Sequence, residues 1–314
     1  MTRTLCGVDV ASQVLDVKVW PGGPELRVDR SAEGIAELAA WCGAHGVELV
    51  VMEATGGLER LAFRLLWASG LPCAVVNPRQ VRRFAQAMGH LEKTDRIDAG
   101  VIAAFAEAKG VQAQPPPGQA EEQLAALVTR LGQLTALKVS QENQRRLVEE
   151  PVVVASFDEV LKLVKAQIRA IADKIAELLR ADPLWRLLDQ EFRQIKGVAD
   201  RSVARLLADI PEIGALTSKE VAKLAGLAPL ADDSGKHKGR RSIRGGRAQV
   251  RSLLYVVASV VGRCEPDFIA FRQRLLDAGK PRKVVRIALA RKLLVRLNAK
   301  ARDVRANFAA PLAA

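Results

Sequence analysis

Over about the first hundred residues, short apolar runs alternate with stretches of helical period. Leu5 to Val10 is apolar apart from Gly7 and Asp9, and Val14 to Trp20 alternates, with Leu15, Val17 and Val19 on one side and Asp16, Lys18 and Trp20 on the other. Period-two alternation marks a half-buried strand, so the two segments predict a hairpin, and Leu26 to Val28 adds an edge strand. A helix over Gly34 to Ala44, a buried strand Val47 to Met52, a helix Leu58 to Ala68, a strand Pro72 to Val76 and a helix Asp95 to Lys109 follow. Three strands and then alternating helices and strands predict an α/β domain.

The run Gln114-Pro115-Pro116-Pro117-Gly118 closes this region, because consecutive prolines bar both helix and ladder. Beyond it, Leu124, Leu127, Leu131 and Leu134 recur at spacings of three and four, as do Leu161, Val164, Ile168, Ile171, Ile175 and Leu178. Interrupted near Pro151, these heptad-like seams predict two long helices, either an antiparallel hairpin or a pairing with another chain. From Phe192 the pattern is helical again, punctuated by Gly197 and Pro211. Asp232 to Arg247 is too rich in Gly, Ser and charge for regular structure and reads as a loop. The expected division is 1–113 for the α/β domain, 114–190 for linker and coiled-coil helices, and 191–314 for a mostly helical C-terminal domain.

Charge changes the picture more than composition does. Of 48 Lys and Arg and 35 Asp and Glu, 18 basic and 5 acidic residues lie between Ala231 and Lys300, and the rest of the chain is balanced. A net positive charge confined to one segment points to a polyanion partner. The 49% apolar and 26% charged content is that of a globular protein and excludes a disordered one. Cys6, Cys42, Cys73 and Cys264 form no CxxC pair and have no His at zinc-ligand spacing, which argues against zinc or a disulfide framework. With no apolar run of about 18 residues and no signal-peptide pattern, the expectation is a cytoplasmic, nucleoid-associated protein without a membrane partner.

Candidate chemistry begins with acids in apolar strands. Asp9 ends or nearly ends the first strand, and Glu53 follows Leu49-Val50-Val51-Met52 at the tip of another, so two strands deliver carboxylates to one sheet edge. Burying such a group is costly unless it is paired or binds a cation. Asp95 and Asp98, three apart, share a helix face with Cβ atoms about 5–6 Å apart. Ile97, Val101, Ala104, Phe105 and Ala108 are the expected apolar stripe of that helix. Four carboxylates suit hard divalent ions such as Mg or Mn, and two ions can stabilise both attacking and leaving oxygens of a phosphoryl transfer. The alternative is structural: Asp95 as a helix cap and Asp9 as acceptor in a tight turn.

The strings GVDVAS around Asp9, MEATGG around Glu53, VVNP at Val75 to Pro78, KTDRIDA around the two later aspartates, LAGLAP at Leu224 to Pro229 and DSGKHKGRRSIRGGR carry a resemblance over nearly the whole chain. The first domain resembles the RuvC-type branch of the ribonuclease H fold. The chain as a whole resembles the DEDD transposases of the insertion-sequence family numbered one-ten, known as bridge-RNA-guided serine recombinases. The resemblance implies that Asp9, Glu53, Asp95 and Asp98 are the metal ligands and that Ser234 is the nucleophile. It also implies a structured guide RNA that pairs with donor and target DNA.

A serine hydroxyl needs metal coordination or a nearby base to attack, and none of the three histidines is placed by sequence to serve it. Ser242 is the nearest competitor. Lys236, His237, Lys238, Arg240, Arg241, Arg244, Arg247 and Arg251 crowd the serine with no acid among them, as a phosphate-binding segment would. Ile195 to Ala199 resembles a helix-hairpin-helix turn, although Ala199 replaces its second glycine. Tyr255, the one tyrosine, lies in an apolar helical stretch and reads as core. The expected activity is a Mg-dependent DNA transposase or recombinase acting as a homo-oligomer. The rivals are a RuvC-type junction endonuclease using activated water and a non-enzymatic nucleic-acid-binding module.

Overall fold

The computed structural model describes residues 3–89, 95–231, 233–234, 237–239 and 241–309, with the backbone alone for 95–98 and 237–238. It forms two compact units, Met1–Pro117 and Gly118–Ala314, divided at the end of the proline run. Among the described residues no helix is long and apolar enough to cross a membrane.

The first unit is built from β1 (Leu5–Val10), β2 (Val14–Trp20), β3 (Glu25–Asp29), α1 (Ala32–Ala44), β4 (Leu49–Glu53), α2 (Glu59–Ala68), β5 (Cys73–Val76), α3 (Pro78–Ala87) and α4 (Asp95–Lys109). The sheet order is β3-β2-β1-β4-β5. β1 to β3 form an antiparallel meander, and β4 and β5 join in parallel, each reached through a helix. This is a mixed sheet with helices on both faces, the α/β arrangement that the apolar pattern predicted. One face packs Cys6, Val8, Leu15, Val17, Val50 and Met52 against Ile35 and Leu38 of α1 and Phe63 and Leu66 of α2. The other packs Leu5, Leu49, Val51 and Ala74 against Val81 and Ala85 of α3 and Ile102, Ala103 and Phe105 of α4.

Gly7 decides how closely α4 approaches. A Cβ at Gly7 would lie 1.9 Å from Ala99 O and 2.9 Å from Ala103 N, so helix backbone rests directly on strand backbone. Only small side chains fit such a contact. The apolar stripe of α4 therefore differs from the expected one: Ala99, Ile102, Ala103 and Ala106 are buried with Val101 and Phe105, whereas Ala104 is half-buried and Ala108 exposed. Ile97 lies outside the side chains described. Helix α3 was not expected from the apolar pattern, because it buries only Val81 and Ala85. Its start carries a cap signal all the same: Asn77 Oδ1 accepts from Arg79 N at 2.9 Å, and Pro78 opens the helix.

The second unit begins with α5 (Gln119–Arg145) and α6 (Pro151–Ala181). Leu124 and Val128 share a core with Ile175 and Leu179, Leu134 packs with Val164 and Ile168, and Arg145 forks onto Asp158. That descending register makes the pair antiparallel. The seam is thus filled within one chain, while Leu147, Val152 and Leu163 stay exposed on and near the hairpin's tip. Then come α7 (Pro183–Arg193), α8 (Asp200–Asp209), α9 (Ser218–Leu224), the two-residue strands β6 (Pro229–Leu230), β7 (Asp233–Ser234), β8 (His237–Lys238) and β9 (Ser242–Ile243), and α10 (Ala248–Cys264), α11 (Pro266–Asp277) and α12 (Arg282–Ala309). Leu289, Leu293, Leu297 and Ala301 bury one stripe of α12 in a core shared with Leu188 and Phe192 of α7 and Leu254 and Val261 of α10. Buried Asn298 ties the 211–216 loop to that helix, accepting from Gly214 N at 2.9 Å and donating to Leu216 O at 2.8 Å.

Candidate active site

Asp9 is the fifth residue of β1 and Glu53 the last of β4, and both are half-buried. The parallel register pairs Leu5 with Leu49, Gly7 with Val51 and Val8 with Met52, so one step further sets Asp9 beside Glu53. Side chains alternate along a strand, and Leu5 and Leu49 lie on the face covered by α4. Asp9 and Glu53 therefore project from that same face at its carboxyl edge. The chain is held firmly just after Glu53. Ala54 N donates to Val76 O, and Glu59 Oε2 accepts from Thr55 N at 3.0 Å and Gly57 N at 2.8 Å. Gly56 and Gly57 take φ of 73° and 109°, which other residues rarely adopt.

Helix α4 brings the backbone of residues 95–98 toward this edge. Its residues 99 and 103 lie over Gly7, and Trp20, opposite Leu5, hydrogen-bonds Glu107. Toward its N-terminus the helix thus advances from the level of Leu5 past Gly7. One more helical turn, about 5.4 Å, nearly matches two strand residues, about 6.6 Å, so the backbone at 95–98 reaches the level of Asp9. The Asp95 and Asp98 side chains lie outside the described part.

The donor set fits a hard divalent cation, since every candidate ligand is a carboxylate. Among the described residues no three His, Cys, Asp or Glu side chains gather as a metal site; only Asp9 and Glu53 of the quartet are included. The cysteines offer no competing centre. Cys6, Cys42 and Cys73 line the opposite face of the sheet. A hydrogen bond with Cys42 and burial raise the Cys6 thiol well above its ordinary range, and burial pushes Cys73 up to about 12, so both stay protonated.

In the same row as Asp9 stands a further acid. Asp16 of β2 lies directly opposite Asp9, and Arg27 of β3 directly opposite Asp16. Arg27 forks onto it, with Nε to Oδ1 at 2.7 Å and Nη2 to Oδ2 at 2.8 Å. The alternation had placed Asp16 on the correct face without assigning it a role.

Ser234 lies in β7, exposed, in a small hairpin where it pairs with His237 and Asp233 pairs with Lys238. β6 and β9 pair below it, Pro229 with Ile243 and Leu230 with Ser242. The segment expected to lack regular structure thus carries two short ladders. Its base is cinched by glycines: a Cβ on Gly226 would lie 2.3 Å from Gly245 O, and one on Gly246 would lie 2.2 Å from Gly226 N. Arg247 N donates to Leu224 O at 2.7 Å.

Arg241 and Arg244 are exposed on this loop. Arg247 is committed elsewhere, donating to both oxygens of Glu212 at 2.6 and 2.7 Å and to Asp209 O at 2.8 Å, and Arg251 Nη1 donates to Gly245 O. These two fasten the loop's foot. Lys236 and Arg240, and the side chains of His237 and Lys238, lie outside the described residues.

The hairpin between α7 and α8 has the expected outline, but its turn, although exposed, abuts α10. A Cβ on Gly197 would lie 3.1 Å from Val261 N, and Lys196 N donates to Glu265 at 3.3 Å. That amide is taken by a carboxylate of the chain itself. Tyr255 is half-buried on α10, with the Arg286 guanidinium 4.7 Å from its ring centre.

Residues 6–148 match a transposase family model of DEDD, IS110 type, and residues 189–273 match the model of the transposase IS116/IS110/IS902 family. Two curated relatives, pilin gene-inverting proteins of Moraxella lacunata and Moraxella bovis, are each 28% identical over 94% of both chains. Among solved structures, T. thermophilus RuvC in complex with a Holliday junction substrate aligns over 35% of this chain and 98% of its own, with 16% identity and a TM-score of 0.28. A second Thermus thermophilus RuvC structure aligns over the same shares with 17% identity and a TM-score of 0.27.

Proposed function

This chain belongs to the IS116/IS110/IS902 family of transposases, and we propose that it cuts and rejoins DNA strands with Ser234 as nucleophile and with a divalent metal. Asp9, Glu53, Asp95 and Asp98 would hold Mg or Mn, whose bound charge would stabilise the oxygens of the phosphoryl transfer. What the chain itself supplies is placement. β1 and β4 fix two carboxylates side by side, and the close seat of α4 on Gly7 sets where the other two begin. Ser234 Oγ loses its proton and forms a bond to phosphorus as the bond from phosphorus to the leaving deoxyribose oxygen breaks, and that oxygen takes up a proton to leave as a hydroxyl. The phosphodiester energy is kept in the serine ester, so rejoining needs no external high-energy cofactor.

Arg241 and Arg244, with Lys236, Lys238 and Arg240, bind the phosphate backbone, while Arg247 and Arg251 hold the loop that carries them. The relatives named for inverting a pilin gene favour recombination over simple cutting. A structured RNA selects the DNA sites, and the protein acts as a homo-oligomer. The acids and Ser234 belong to different units of the chain, which makes a partner subunit a natural source of one or the other.

The observation that carries this reading is the register that sets Asp9 beside Glu53. Asp9→Ala and Glu53→Ala should each abolish Mg-dependent strand cleavage, measured on labelled DNA with the element's RNA, and leave the circular-dichroism spectrum unchanged. Cleavage at wild-type yield by either variant would remove the metal centre from the account.

A further inference from the structure

Across the sheet, one level of the ladder reads Arg27, Asp16 and Asp9 on β3, β2 and β1, and the β1–β4 register, carried one residue past Val8–Met52, adds Glu53. Asp16 is the one charged side chain among the described residues that is buried, at 6% exposure. Two carboxylates directly opposite each other have Cβ atoms about 4.5–5.5 Å apart and repel. A salt bridge at the surface would hold β2 to β3 without burying an acid beside Asp9, and a pair of apolar residues would do so more simply. The buried position therefore needs another reason.

We propose that Asp16 and Arg27 form a charge clamp for the metal centre, Asp16 acting as a positioning residue rather than a ligand. Both its oxygens are occupied by the guanidinium fork, which keeps a fifth carboxylate out of the ligand set. In return Asp16 fixes the Arg27 cation on the far side of β2, where it cannot displace the metal from Asp9. A cavity of about 150 Å³ lined by Asp16, Glu25, Arg27 and Ala99 lies alongside, and Ala99 directly follows Asp98 in α4. The clamp thus stands at the edge of the acid site. The inference rests on the metal reading and goes beyond it by naming residues outside the DEDD quartet.

The two partners are expected to have opposite effects, which a purely structural pair would not show. Binding of Mn²⁺ to the full chain, followed by the loss of the free-ion electron paramagnetic resonance signal, should weaken about tenfold in Asp16→Asn, because Arg27 loses the carboxylate that holds it and competes for Asp9. Arg27→Gln should bind Mn²⁺ at least as tightly as wild type, since Asp16 then adds its charge to the site. The double variant should return to within about threefold of wild type. Unchanged affinity in folded Asp16→Asn, or weaker binding in Arg27→Gln, would overturn the clamp while leaving the metal centre intact. A wild-type chain that takes up no Mn²⁺, while Asp9→Ala behaves identically, would overturn both. Should Asp16→Asn not fold, the sign of the Arg27→Gln effect still decides.

Discussion

Glu212 and Arg247 show how a single ion pair can hold a loop by its foot. Burial alone would raise the Glu212 carboxyl, but the Arg247 hydrogen bonds, a backbone hydrogen bond and the Arg247 charge together outweigh it and hold the group below its ordinary 4.5. A carboxyl with a lower pKa folded than unfolded stabilises the protein fully above the unfolded value. That contribution is lost as pH falls through the folded value, where the proton is finally taken up. Both side chains are more than a third exposed, at 38% and 39%, so solvent screening keeps the effect small. Arg247→Gln should therefore lower the melting temperature slightly near neutrality and flatten its decline on acidification below 4.5, so that variant and wild type converge in acid. Equal acid slopes for variant and wild type, in melts followed by circular dichroism, would show that the pair does not couple to folding.

The same residue illustrates what a sequence conceals. Its place in a run of cations suggested phosphate, and nothing in the spacing showed that Glu212, 35 positions earlier, would face it. Asp9 and Glu53 were legible for the opposite reason: an acid at the end of an apolar strand is conspicuous, and the strand fixes where it stands. Asp16 was legible only as a position on a face. Its partnership with Arg27 depends on the register between β2 and β3, which the turn between them sets.

At the scale of elements, the sheet was readable because its strands are short apolar runs with clear ends. The seat of α4 was not, because the pattern of apolar residues does not report how near two backbones come. Gly7 settles that distance. Gly7→Ala should destabilise the first unit by about 3 kcal/mol or more, as overpacking against backbone cannot be relieved by a rotamer. It should also impair metal binding by lifting the start of α4 from the sheet. A variant with wild-type stability in urea titration would mean that the helix yields easily. The basic loop makes a second prediction at this scale. If Arg241 and Arg244 each contact one phosphate, replacing both with Ala should lower the slope of log affinity against log salt by about 2. An unchanged slope in filter-binding or anisotropy titrations would turn those side chains toward solvent or protein.

For the whole molecule, the division into two units explains why the acids and the serine are far apart in sequence and carried on different scaffolds. The α/β unit offers rigid strand ends for a charged site, while the helical unit presents the serine on a small hairpin cinched by Gly226, Gly245 and Gly246. The seam of α5 and α6 is spent inside its own hairpin, so the proposed oligomer would have to use other positions, among which exposed Leu147, Val152 and Leu163 are available.

The central claim is that the serine, not water, attacks DNA. Wild-type protein, its element's RNA and end-labelled DNA should be incubated with Mg²⁺, quenched in denaturant and resolved by electrophoresis. A protein-linked DNA band that is absent from Ser234→Ala, together with loss of strand cleavage in that variant, is the expected result. Free DNA ends with no adduct from wild type, and near-normal cleavage by Ser234→Ala, would contradict it and assign the attack to water.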